Sequence, residues 1–201
     1  MKKILQANQK QKPARNASHS AVGREKILHK TAEEVRILDI KTKKIQNILK
    51  EMSVVLKSQN DGVAIAAPQI GYSLQIFVVS GKIFEKDFGK SKLEDKIPPP
   101  NLPLSKEEVK KDLVFINPKI SRLSRKKEWL PEGCLSVRWL YGNTFRSKKA
   151  TVTAYDKNGK KFTRGASGLL AQIFQHETDH LNGILFIDHA KDIREELPPV
   201  K

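Results

Sequence analysis

Apolar positions along this chain recur with two periods. From Lys41 onward, Ile45, Ile48, Leu49, Met52, Val55 and Leu56 follow steps of three and four, which predicts an amphipathic helix with lysines opposite and a stop at Asn60-Asp61-Gly62. A second helical pattern, Leu169, Leu170, Ile173 and Phe174, follows an N-cap signal in Gly165-Ala166-Ser167 and stops at Asn182-Gly183. Strand patterns lie between and after them. Residues 74–79 read as a buried strand, residues 113–116 as a strand stopped by Asn117-Pro118, and residues 119–123 as its continuation. Residues 150–155 alternate, and Asp156-Lys157-Asn158-Gly159 predicts a hairpin into residues 160–164. Residues 184–187 predict a short last strand. Helices and strands are unevenly spread, with hairpin signals between strands, so the expected class is α+β. Small mixed or antiparallel β-sheets should pack around the second helix, with the amphipathic helix nearer the N-terminus.

Composition changes this picture mainly at the ends. Residues 1–24 hold six Lys or Arg and no Asp or Glu, as a flexible basic arm over 1–25 would. The periodicity lapses over 81–112, through Pro98-Pro99-Pro100 to a short helical run at 106–111, which predicts a surface insertion in a domain spanning 26–190. Residues 191–201 read as a short tail, ragged from Glu195 to Lys201. No apolar run approaches the roughly 18 residues of a membrane span, so no membrane role is expected. The formal net charge of +16 predicts attraction to polyanions. A single cysteine, Cys134, excludes an internal disulfide and points to a reducing compartment such as the cytoplasm. If the acid-free arm is instead a transit peptide, the destination is an organelle.

The second helix carries His176-Glu177-Thr178-Asp179-His180. Four residues turn a helix through roughly 400°, so both imidazoles leave one face close enough to hold one metal ion, with Glu177 beside it as a proton carrier. An open catalytic site needs a third protein ligand. A histidine at the spacing HExxHxxGxxH is missing, because Phe186 occupies that position and His189 lies three residues beyond it. Glu195 or Glu196 is one candidate. Cys134, in Glu132-Gly133-Cys134-Leu135-Ser136, is another, and its thiolate would complete a Cys-His-His set.

Three stretches, residues 62–69 (Gly-Val-Ala-Ile-Ala-Ala-Pro-Gln), 132–136 (Glu-Gly-Cys-Leu-Ser) and 175–183 (Gln-His-Glu-Thr-Asp-His-Leu-Asn-Gly), resemble the three motifs of peptide deformylases in order and spacing. The likeness runs, with gaps, from about residue 26 to 190. It implies hydrolysis of the N-formyl group from formylmethionine at the start of nascent polypeptides. It also implies one divalent metal on Cys134, His176 and His180, natively Fe²⁺ in much of the family, with Zn²⁺, Ni²⁺ or Co²⁺ able to substitute. Glu177 becomes the proton shuttle, and the Gln69 side-chain amide and the Leu135 backbone N–H become donors to the developing oxyanion. Val63, Ile65 and Leu169 are candidates for the methionine pocket, and Glu132 is expected to orient the cysteine turn or to pair with an arginine. Ala64 stands where the family usually has glycine, so its methyl would crowd the substrate backbone. Arg138-Trp139 replaces smaller residues at the expected cleft rim. The rival expectations are an HExxH metalloprotease and a basic ribosome- or RNA-binding protein with an inactive deformylase-like domain. In the deformylase reading, the charge serves contact with ribosomal RNA.

Overall fold

A computed structural model describes residues 2–7, 26–85, 88 and 111–197 of the chain. Helix α1, Lys43–Lys57, starts where extended Thr42 accepts a hydrogen bond from the Ile45 N–H, and it buries the six apolar residues of its three-and-four pattern. Strand β1, Ala64–Ala66, leads into a 3-10 turn at Ala67–Ile70, and β2 spans Ile76–Val79. Strands β3, Leu113–Leu123, β4, Lys127–Cys134, and β5, Val137–Ser147, precede the hairpin of β6, Lys149–Tyr155, and β7, Lys161–Ser167. Helix α2, Gly168–Leu181, carries the histidine pentad, and β8, Lys191–Glu195, closes the described chain.

The strands form a five-stranded sheet, in the order β1-β2-β3-β6-β7, and a three-stranded sheet, β4-β5-β8. Every pairing between these eight strands is antiparallel. Alternation in β1 and β2 divides the core between the two faces of the larger sheet. Ala64, Ala66, Phe77 and Val79 meet α2, while Ile65, Ile76 and Val78 meet α1. Phe174 of α2 packs edge-on against Phe115, at 5.1 Å between centroids, and Phe115 stacks on Phe77 at 4.5 Å. This wedge fixes the height of α2 on the sheet, and truncating Phe174 to alanine would cost about 3–5 kcal/mol. The α+β expectation, with small antiparallel sheets around the pentad helix, therefore holds.

Several boundaries differ from expectation. Asn117-Pro118 does not stop β3, because the ladder to β6 shifts register between Ile116 and Lys119 and absorbs the proline in an irregularity. Residues 184–187 are not a strand. Gly183, at φ +74°, reverses the chain, and a 3-10 turn follows at Phe186–Asp188. An added Cβ on Gly183 would lie 2.6 Å from the His29 carbonyl, so this reversal requires glycine. The tail begins as a strand, Lys191–Glu195, paired with β5, so that of the stretch expected to be ragged only Glu195 lies in it. Within the expected flexible arm, residues 2–7 are docked, with the Leu5 N–H donating to Gln69 O and the Ala7 N–H to Ser136 O, both at 2.7 Å. Residues 8–25, most of the 81–112 insertion and residues 198–201 lie outside the described residues.

Candidate metal centre

Helix α2 presents two faces. Leu170, Ala171, Ile173, Phe174 and Leu181 bind it to the large sheet, and the positions between carry Gln172, His176, Asp179 and His180 toward the small sheet. The His176 and His180 rings stand 4.9 Å apart, edge to face. Opposite them the β4–β5 hairpin turns at Leu135-Ser136 and brings Cys134 in. Its Sγ lies 3.2 Å from His180 Nε2, and the donor atoms of Cys134, His176 and His180 all lie within 4.8 Å of one another.

Whether these residues suit a metal ion turns on the remaining bonds of each donor. His176 Nδ1 is held 3.1 Å from Glu132 Oε2, which leaves its other ring nitrogen to face the cysteine. His180 Nδ1 and Glu177 Oε2 are buried without a hydrogen-bond partner among the described residues. Burial opposes ionisation of the Cys134 thiol, but the charges and hydrogen bonds of His180 and His176 outweigh it and hold the thiol at about 5. One thiolate and two imidazoles within reach of one point form the three-ligand, open set of a catalytic divalent cation. The residues fit.

Glu132 is the hub behind this set. It is 6% exposed, and it takes two bonds from Arg146, Nε at 2.8 Å and Nη2 at 3.0 Å, and a third from Gln172 Nε2 at 3.3 Å. Burial alone would raise its pKa, but the bonds and charges of His176 and Arg146 hold the carboxyl far below the ordinary carboxylate range. Arg146 also reaches Asp179 Oδ2, at 2.5 Å, which ties the β5 strand to the middle of the pentad. Burial dominates Glu177 and pushes it up to about 7. Gly133 leaves room for the Tyr141 ring opposite it on β5, since an added Cβ would sit 2.7 Å from that ring.

Gln69 arrives from the turn after β1. Its Oε1 accepts from the Ala66 N–H at 2.7 Å, which aims Nε2 at Ser136 Oγ, 3.2 Å away, and at Cys134 Sγ, 3.6 Å away. Leu135 follows the cysteine in the same turn, and its carbonyl accepts from Gln6 Nε2 at 2.9 Å. Gln6 also accepts from the Arg138 N–H, at 3.4 Å, so the docked N-terminal residues strap the cysteine turn to the Gln69 turn.

The remaining sequence candidates separate. Val63 and Leu169 are partly buried and pack against the same cluster under α2. Ile65 is wholly buried on the opposite face against α1, because neighbouring residues of β1 point to opposite sides, so it is core and not pocket. Ala64 lies on β1, the end strand of its sheet. Glu195 belongs to exposed β8 and is not among the clustered donors. Arg146, Gln172 and Gln6 escape a reading of motifs, because nothing in their spacing separates a buried arginine or amide from a surface one. The expected arginine partner of Glu132 was the one usable signal.

The polypeptide deformylase family model matches residues 21–196. The peptide deformylase of Borreliella burgdorferi is 38% identical over 163 residues, which are 78% of this chain and 83% of that protein. Peptide deformylase 1A of Arabidopsis thaliana, chloroplastic/mitochondrial, is 37% identical over 81% of this chain and 57% of its own length. A crystal structure of a peptide deformylase from Legionella pneumophila superposes with a TM-score of 0.67 at 31% identity, covering 96% of this chain and 87% of that one. Relatives thus come from bacteria and from organelles, and no described helix is long and apolar enough to cross a membrane. With the family model covering most of its length, the chain belongs to the peptide deformylases, metal-dependent enzymes that remove the N-formyl group from nascent polypeptides.

Proposed function

We propose that Cys134, His176 and His180 hold the metal of this deformylase, with Glu177 as the proton carrier and with Gln69 and Leu135 as oxyanion donors. The observation that carries the reading is the convergence of the three donor atoms within 4.8 Å, with His176 oriented from behind by Glu132. The donor set suits Fe²⁺ natively, and Zn²⁺, Ni²⁺ and Co²⁺ as alternatives. When bound, the cation supplies Lewis acidity, making water a stronger acid and polarising the formyl carbonyl. The remaining work belongs to the chain. The peptide lies extended along β1, the end strand of the large sheet, where Val63 and Ala64 offer backbone partners and Val63 and Leu169 offer apolar surface to the methionine side chain. Glu177 takes a proton from the attacking water as the water oxygen bonds to the formyl carbon. Charge gathering on the formyl oxygen meets the Gln69 Nε2–H and the Leu135 N–H. Glu177 then delivers the proton to the peptide nitrogen as the C–N bond breaks, so that a neutral amine and formic acid leave, the acid giving its remaining proton to solvent to become formate.

In the test, a formyl-Met-Ala peptide is supplied to metal-loaded protein and formate is measured. Chelator should stop release. Glu177→Ala should reduce turnover by about 10²–10⁴-fold while metal content stays at one per chain. Cys134→Ser should lose metal. Turnover surviving in Glu177→Ala removes the shuttle, and full metal content in Cys134→Ser removes the ligand assignment. A metalloprotease reading predicts cleavage of the unformylated peptide, and the same assay scores it. The setting we propose is the cytoplasm, where the net charge of +16 favours contact with ribosomal RNA as chains emerge.

A further inference from the structure

Strand β4 alternates between two environments. Glu132 and Cys134 turn inward to the candidate metal centre, while Lys127, Trp129, Pro131 and Gly133 face outward and are exposed. The outer face is where the small sheet departs from an ordinary solvated surface. Trp129 stands directly opposite Phe145 in the β4–β5 register, with centroids 5.1 Å apart, and the two rings are 46% and 50% exposed. Lys191 Nζ lies 4.8 Å from the Trp129 ring and Lys127 Nζ 5.8 Å from the Phe145 ring. On β8, Lys191 pairs in register with Asn143, and Arg194 with Tyr141. Of the acids of this region, Asp192 accepts from Asn143, Glu196 is bound to Arg194 and Glu128 to Lys148.

We infer that the outer face of the β4-β5-β8 sheet is a binding platform for single-stranded RNA, with unpaired bases stacking on Trp129 and Phe145 and phosphates meeting Lys127 and Lys191. Exposed adjacent rings flanked by cations match the chemistry of a strand that offers a π-face and a charge at every nucleotide. A duplex does not fit, because its bases are already stacked and a broad sheet cannot enter the deep, narrow groove of A-form RNA. A second copy of the chain is disfavoured by charge, since pairing these faces would oppose the lysines of two molecules of +16 each. The inference gives the polyanion attraction proposed above a location, and it does not rest on the deformylase chemistry. Since Cys134 and Trp129 lie on opposite faces of one strand, bound RNA would leave the metal centre open to peptide.

The test uses the full chain and short fluorescent oligouridylate and oligoadenylate, with binding read by anisotropy. Trp129→Ala and Phe145→Ala should each weaken binding by about 10-fold or more, and formate release from formyl-Met-Ala should not change. Lys127→Gln with Lys191→Gln should flatten the slope of log affinity against log salt by about 1.4, the loss of two single-strand phosphate contacts. In a Trp139→Phe background Trp129 is the one remaining tryptophan, and its fluorescence should be quenched at saturation. Three results would overturn the inference. One is unchanged affinity in both aromatic variants, and another is duplex RNA binding as tightly as single strands. The third is a concentration-dependent dimer in sedimentation that Trp129→Ala abolishes without touching RNA affinity.

Discussion

Replacing Arg146 with methionine isolates the part of the site that holds it together without touching a donor atom. The guanidinium is buried, with 8% of its side chain exposed, and it gives Glu132 two bonds, at 2.8 and 3.0 Å, and Asp179 a third, at 2.5 Å. Methionine keeps the volume of the stem but leaves Glu132, 3% exposed at its side chain, with only Gln172 and His176 as donors. Removing one member of such a buried pair costs about 3–5 kcal/mol, because the partner charge stays desolvated. That is about a fifth or more of the stability of a typical domain, and at about 2–4 °C per kcal/mol it lowers Tm by about 6–20 °C. Adding Glu132→Gln removes the stranded charge, so the double variant should regain about 2 kcal/mol relative to additivity. Arg146→Lys should fall between, since a single ammonium cannot reproduce the two-pronged contact. The second readout is metal. With Glu132 no longer pinned, His176 loses its fixed orientation, and affinity in a competitive chelator titration should fall about 10–100-fold. Chemical denaturation of the four proteins of the cycle decides the matter. A loss below about 1 kcal/mol in Arg146→Met, or strict additivity in the double variant, would refute the picture of Glu132 as a charge dependent on Arg146.

Other perturbations read other parts of the structure. Gly183→Ala meets both a left-handed φ of +74° and the His29 carbonyl at 2.6 Å. It should cost at least about 1–2 kcal/mol in thermal unfolding, and a neutral result would contradict the close approach. Gln69→Ala should lower kcat for formyl-Met-Ala by about 10²–10³-fold with little change in metal content, and a change in KM alone would argue that the amide only binds substrate. Gln6→Ala removes the bond to Leu135 O and loosens the turn that presents the Leu135 N–H. It should reduce kcat several-fold at unchanged KM, with a stability loss within about 1 kcal/mol, and unchanged kcat would mean the strap is ornamental to the chemistry.

What a sequence discloses here follows the range of the forces involved. Helix α1 is legible from Ile45 to Leu56 because one face is buried and the period is local. The two histidines of α2 are legible for the same reason, since a helix sets their distance without help from the rest of the fold. Strand β8 is hidden, because all five of its residues are exposed and only its pairing with β5, some fifty residues upstream, orders it. Arg146 is hidden because its burial depends on Glu132 and Asp179, fourteen and thirty-three residues away, meeting at one point. Cys134 lies between these cases. Its chemistry is legible as the missing ligand, but its position is a property of the β4–β5 hairpin, in which the two-residue period turns Glu132 and Cys134 toward α2 together. That shared face makes the ligand and the residue orienting His176 neighbours on one strand. A register slip of one residue in β4 would carry both to solvent and bring Trp129 inward. The metal centre is therefore specified less by its three ligands than by the backbone pairing of β4 with β5, with Glu132 opposite Gly142, which holds the strand in phase.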